Sequence, residues 1–160
     1  MDVKPQKEHE WLQKLVGEWT AEMECVMGPD QPPMKSKGSE TTRSIGGLWT
    51  MGEGTGEMPD GSKATSVMTL GYDPQKQRYV GTFIASMMTH MWKYEGTLDA
   101  SGKVLTLDTE GPGMSGDGKM MKYQDIMTFV DDDHRILTSR IQGEDGSWTQ
   151  FMTAHYRRKT

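Results

Sequence analysis

An all-β fold is predicted: an antiparallel up-and-down β-barrel of about ten strands, with a short N-terminal helix closing one end. Three features of the chain predict it. Ten segments alternate apolar with polar residues, the period of a strand that is buried on one face only. Short turns rich in Gly, Pro and Asp separate these segments. Only the first segment carries a helical stripe, with Trp11, Leu12, Leu15 and Val16 on one side. Closing a meander of this kind removes its exposed edges, which favours a barrel over an open sheet. The 160 residues then make one domain, with the helix at about 7–16 and the barrel at about 18–158.

Gly17 ends the helix, because glycine leaves a helix through positive φ at no steric cost. From there Trp19, Ala21, Met23 and Cys25 alternate with Glu18, Thr20, Glu22 and Glu24, a half-buried first strand. Gly28 to Pro33 contains three prolines and forms a loop, since proline removes ladder donors. Met34 to Ile45 is a polar second strand, and Gly46-Gly47 turns it into a third, Leu48 to Glu57. Gly52, Gly54 and Gly56 share one face there and leave room for a sharp bend or a close approach to the backbone.

Turn chemistry sets the registers. Pro59-Asp60-Gly61 makes a three-residue hairpin loop, placing Met58 opposite Ser62, Gly52 opposite Met68, Thr50 opposite Leu70 and Leu48 opposite Tyr72. Asp73 to Lys76 turns the chain so that Tyr79, Gly81, Phe83 and Ala85 join that face. Asp99 to Gly102 aligns Trp92, Tyr94, Gly96 and Leu98 with Leu105 and Leu107. A two-residue turn within Asp131 to His134 pairs Phe129 with Ile136, Met127 with Thr138 and Asp125 with Arg140. Glu144-Asp145-Gly146 then pairs Arg140 with Gln150, Thr138 with Met152 and Ile136 with Ala154. The last strand, Ser147 to Arg158, returns to the first.

The net charge of −5 and the absence of a basic stripe argue against a nucleic-acid partner. No apolar run reaches membrane-spanning length, and Met1 to Pro5 is too polar for a signal peptide. The single cysteine, Cys25, on an apolar face, is expected to be a free thiol in a cytoplasmic protein. Methionine is the compositional outlier, 15 of 160, and its soft side chain suits irregular cores and permissive binding surfaces.

Gly17-Glu18-Trp19 after a short helix, with Tyr156-Arg157-Arg158 at the far end, resembles the calycin superfamily of lipocalins and fatty-acid-binding proteins. In that group a first-strand tryptophan packs against a last-strand arginine, which the resemblance assigns to Trp19 and Arg158. More closely, Gly46-Gly47, Gly71-Tyr72-Asp73-Pro74, Tyr79-Val80, Glu95-Gly96 and Tyr156-Arg157-Arg158 resemble a bacterial family catalogued as domain of unknown function 1579. The resemblance implies a lipocalin-like barrel and brings no catalytic residue with it. The tyrosine-and-arginine grip on a carboxylate found in fatty-acid-binding proteins is only partly echoed.

The registers give the inward face apolar walls, Phe83, Trp92, Tyr94, Met68, Met127 and Met152, and a polar group, Tyr123, Asp125, Arg140 and Gln150. Such a mixture describes a pocket for a small molecule, here an amphipathic or anionic hydrophobic compound. Arg140 would fork to the anion and Asp125 would orient it; a plain cross-strand ion pair accounts for the same two residues. Acid–base catalysis by Asp125 and Tyr123 in an enclosed pocket is the enzymatic alternative, and a barrel filled by its own side chains is the structural one. Met87 to Met91 has the softness of a copper(I) site but equally suits a loop covering the barrel mouth, and His155 as a haem ligand would face outward. No metal or cofactor is therefore assigned. Trp49, Met51, Val67, Val80 and Ile84 fall on the outward face, with Met51 counted opposite Thr69 and Thr69 opposite Val80. That patch is expected either to form a two-fold homodimer contact or to be covered by the N-terminal helix.

Overall fold

Each strand hydrogen-bonds to the strands before and after it in sequence, and the last returns to the first. The computed structural model describes residues 3–26, 28, 30–58 and 60–159. The helix α1 (Lys7–Leu12) and a 3-10 turn (Gln13–Leu15) precede ten strands. These are β1 (Gly17–Cys25), β2 (Met34–Ile45), β3 (Trp49–Glu57), β4 (Lys63–Asp73), β5 (Arg78–Ala85), β6 (Trp92–Leu98), β7 (Val104–Pro112), β8 (Met120–Asp131), β9 (His134–Gln142) and β10 (Trp148–Arg158). The predicted barrel is the observed one, closed and antiparallel throughout. Met1 and Pro59, used above in the leader and hairpin arguments, lie outside the described residues, as do Asp2, Met27, Pro29 and Thr160.

The helix seals the end of the barrel where the β4–β5, β6–β7 and β8–β9 turns gather. Trp11 donates its indole N–H to the Gly102 carbonyl at 2.6 Å and packs edge-on against Tyr79 and Phe129. Leu12 and Leu15 are buried behind it, and His9 packs edge-on against Tyr72. The helix therefore caps the end, while Trp49 stays 43% exposed beside Val3, Lys4 and Gln6 of the segment before the helix. Gly17 leaves the helical segment at φ +134°, which favours glycine, and a Cβ there would stand 2.5 Å from Nη1 of Arg158 and push the guanidinium aside.

Arg158 closes the seam between β1 and β10. It stands opposite Trp19 with its guanidinium 4.2 Å from the ring centroid. The same group donates to the carbonyls of Val16, Lys14 and Asp132, capping the end of the helical segment.

Gly52–Met68, Thr50–Leu70, Gly96–Leu107 and Leu98–Leu105 pair as counted from the turns. Three registers differ. Between Asp73 and Arg78 the turn takes in Gln77, at φ +54°, so Thr69 faces Thr82 and Val80 faces Gly71. Between Phe129 and Asp131 a bulge shifts the β8–β9 ladder by one, so Asp125 faces Ser139, Met127 faces Leu137 and Gln124 faces Arg140. A second bulge, between Gln150 and Met152, restores the alternation on β10: Gln150 faces Arg140 as counted, then Met152 faces Ser139, Ala154 faces Leu137 and Tyr156 faces Arg135. A one-residue slip exchanges the two faces of a strand. On β9 the inward residues are therefore Arg135, Leu137 and Ser139, and Arg140 points out.

Candidate functional site: an aromatic pocket at the open end

The barrel interior has a solid half and a hollow half. On the helix side, Trp19 is sandwiched between two arginines, with Arg135 at 4.8 Å and Arg158 at 4.2 Å from its ring centroid. Arg135 is only 2% exposed; it also lies 4.0 Å from the Tyr156 ring centroid and pairs with the Glu40 carboxylate at 2.7 Å. Gly52 leaves room for that carboxylate, since a Cβ there would come within 3.1 Å of Oε1 of Glu40. Thr42 supplies a further hydrogen bond to the same oxygen. Leu70, Leu105, Leu107 and Met127 fill the remaining space, leaving a gap of about 10 Å³.

Toward the other end a pocket of about 310 Å³ opens, lined by residues of β5 to β9, Phe151 of β10 and the loops between them. Five aromatic side chains form its walls: Phe83, Trp92, Tyr94, Tyr123 and Phe151. Trp92 is seated against Gly111, where any side chain would collide with its ring, and meets Tyr123 edge-on at 4.9 Å. Tyr123 in turn meets Phe151 at 6.0 Å. Met88 and Met114, 40% and 50% exposed, stand at the entrance.

Asp125 is the charged residue of this lining. Its Oδ2 accepts the Tyr94 hydroxyl at 2.5 Å and its Oδ1 accepts the Ser139 hydroxyl at 2.6 Å. It lies deep in the barrel, yet keeps accessible surface because one side faces the pocket. Beside it the buried Thr109 hydroxyl has no hydrogen-bond partner. Burial pushes the Asp125 carboxyl above its ordinary range, while the bonds from Ser139 and Tyr94 pull it partly back. Burial also pushes the Tyr94 hydroxyl well above its usual value, with the Asp125 charge adding to it.

A family profile described as "Protein of unknown function (DUF1579)" matches residues 4–158. The chain belongs to this family. No curated protein matches it. Solved structures share the fold of this DUF1579 chain, three of them as follows. Rv2717c from M. tuberculosis is 13% identical, with 99% of this chain and 100% of that one covered, at a TM-score of 0.65. The S-type phycobiliprotein lyase CPES from Guillardia theta is 14% identical, with 98% and 99% covered, at 0.60. EF1p2_mFAP2b bound to DFHBI is 14% identical, with 95% and 99% covered, at 0.51. Identities this low establish likeness of fold alone.

Of the residues the sequence proposed, Phe83, Trp92, Tyr94, Tyr123 and Asp125 line the pocket of the DUF1579 barrel. Met68 and Met127 border the small gap in the filled half, and Met152 packs against the core. Arg140 and Gln150 do not face inward. Arg140 bonds Gln124 at 2.8 Å and lies over Trp148 on the outer surface, and Gln150 is exposed. The two bulges are the reason. Nor do Asp125 and Tyr123 form a pair, because the Tyr123 hydroxyl donates to the Pro112 carbonyl at 2.7 Å. Ser139, Phe151, Arg135 and Glu40 were missed. The bulges conceal the first three, whereas Glu40 and Thr42 were open to recognition by alternation with Trp19 opposite. Thr109 shares the face of Leu105 and Leu107 and could have been found the same way.

His90 is held by the Glu110 carbonyl at 2.9 Å, and His155 shares a 2.9 Å ring-nitrogen contact with His134 on the outer wall. Among the described residues no group of three or more His, Cys, Asp or Glu is placed to hold a metal ion. None of the helices of the described residues is long and apolar enough to cross a membrane.

The raised Asp125 value has a measurable sign. An acid whose folded pKa exceeds its unfolded value binds its proton more tightly when folded, so its ionisation costs stability as pH rises between the two values. Subtracting the stability of Asp125→Asn from that of the wild type should therefore give a difference that falls as pH rises above the unfolded value near 4. Urea titrations across this range measure it, and a difference that rises with pH would contradict the assignment.

Proposed function

We propose that this protein is a small-molecule-binding barrel that takes its ligand into the pocket at the open end. The observation that carries this reading is a cavity with five aromatic walls and, at its polar end, Asp125 beside the unpartnered Thr109 hydroxyl. Apolar walls with a few convergent polar groups are the usual design of a ligand site. Barrels of this fold include EF1p2_mFAP2b bound to DFHBI, which supports the reading without identifying a ligand. The expectation of an anionic ligand depended on Arg140 facing inward, and the polar anchor is instead Asp125. A cytoplasmic site of action belongs to the same reading, on the lone thiol of Cys25.

Native mass spectrometry of protein purified from its own host should find a retained small molecule. A thermal-shift panel of neutral, cationic and anionic aromatic compounds should find one whose binding moves the Met88 and Met114 methyl resonances. Trp92→Ala should weaken that binding about tenfold or more through loss of a major wall, whereas Arg140→Ala should leave it unchanged. A protein with no retained mass and no responding compound would be a barrel without a ligand.

We also propose a homodimer through the outward patch. Trp49 and Ile84 are 43% and 48% exposed, with Met51, Val67 and Val80 beside them on adjacent strands. Sedimentation should give a dimer that Trp49→Glu converts to a folded monomer. A wild type that stays monomeric at high concentration would overturn this.

A further inference from the structure

We infer that the pocket selects an aromatic organic cation carrying N–H donors, an arylmethyl ammonium or an aryl amidinium rather than a carboxylate or sulfonate. This rests on the reading of the pocket as a binding site and concerns the class of ligand it takes. The lining contains one charged residue, Asp125, and no lysine, arginine or histidine. The neighbouring interior cation, Arg135, is committed to Glu40 and to the rings of Trp19 and Tyr156. An anion entering here would meet a carboxylate with nothing to offset it, and at a largely buried carboxylate that repulsion is screened less than in water.

The remaining features favour positive charge. Aromatic faces carry negative quadrupole potential, and Phe83, Trp92, Tyr94, Tyr123 and Phe151 enclose the space. Asp125 has accepted one hydrogen bond on each oxygen, from Tyr94 and Ser139. An ionised carboxylate has about four acceptor positions, so two remain for a ligand. Thr109 belongs to the same lining, but its unpartnered hydroxyl oxygen is itself buried. The two open acceptor positions of Asp125 match a nitrogen bearing at least two N–H groups. Tyr94 and Ser139 hold the carboxylate in place before the ligand arrives, so little ordering is required on binding.

Three probes of one shape test this: 1-naphthylmethylammonium, 1-naphthylmethanol and 1-naphthylacetate, titrated calorimetrically into the full chain. Methyl spectra of Met88 and Met114 report whether each binds in the pocket. The ammonium should bind about tenfold or more tightly than the acetate, with the alcohol between them. Asp125→Asn should erase most of that preference while retaining the alcohol. Equal or tighter binding of the acetate in wild-type protein would overturn the cation assignment and leave the pocket standing. If none of the three moved the Met88 or Met114 methyls, the pocket reading itself would fail, and this inference with it. The wild-type comparison decides the matter even if Asp125→Asn does not fold.

Discussion

Arg135→Ala should destabilise the protein by about 3–5 kcal/mol, the usual cost of removing one partner from a buried ion pair. Arg135 is 2% exposed, and Glu40, its partner at 2.7 Å, is 17% exposed at the side chain. Truncation leaves that carboxylate inside the barrel with only Thr42 to satisfy it. It also opens a void between Trp19 and Tyr156, whose rings the guanidinium touches. Urea denaturation should show a lower midpoint at unchanged slope. Arg135→Lys should recover little, because an ammonium cannot lie flat between two rings while reaching Glu40. Arg135→Met combined with Glu40→Met should recover much of the loss, since an apolar replacement of a buried pair is often near neutral. A single alanine variant as stable as wild type would mean that the pair is solvated in solution.

Trp19→Ala should cost a similar amount, about 3–5 kcal/mol, the range for deleting a large buried aromatic side chain. Trp19 is fully buried, donates to the Leu15 carbonyl at 2.9 Å and joins the helical segment, the β1–β10 seam and the filled half of the interior. Its loss should also free Arg135 and Arg158 from a shared ring, so the Trp19 and Arg135 variants should combine non-additively. Arg158→Ala supplies the contrast. That side chain is partly exposed, and its removal should cost on the order of 1–2 kcal/mol through lost stacking and packing. If Arg158→Ala proved the more damaging of the two, the carbonyl-capping role of Arg158 would outweigh the stack.

The neighbouring pocket makes a similar use of burial for a different end. In the filled half, a buried charge is matched by another side chain, Arg135 by Glu40. In the hollow half, the Asp125 charge is met only by hydroxyls, and the Thr109 hydroxyl is met by nothing. A polar group left unpaired inside a protein costs free energy unless something else satisfies it. The filled half holds an unpartnered group as well, Nε of Arg135, so the two ends differ in that one charge is answered by a countercharge and the other only by hydroxyls.

By itself the amino-acid sequence determined the barrel, its ten strands, the helix cap, the order in which the strands pair and the registers of β3–β4 and β6–β7. Alternation over Trp19 to Cys25 and Tyr79 to Ala85 is unambiguous, and turns such as Asp99 to Gly102 admit one register, so local chemistry was enough there. It also assigned Phe83, Trp92, Tyr94, Tyr123 and Asp125 to one inward face. β9 was different. Its two faces, Arg135-Leu137-Ser139 and Ile136-Thr138-Arg140, each carry one arginine, one aliphatic residue and one hydroxyl, so hydrophobic patterning cannot choose between them. The tertiary structure made the choice with two bulges. Arg135 turned inward finds Glu40 and Trp19, contributed by strands far away in sequence, and Tyr156 of the next strand, while Arg140 turned outward finds Gln124 and Trp148. Glu40 and Trp19 reach Arg135 only once the barrel is closed, so the sign of the charge in the pocket was decided by the fold and not by any local pattern.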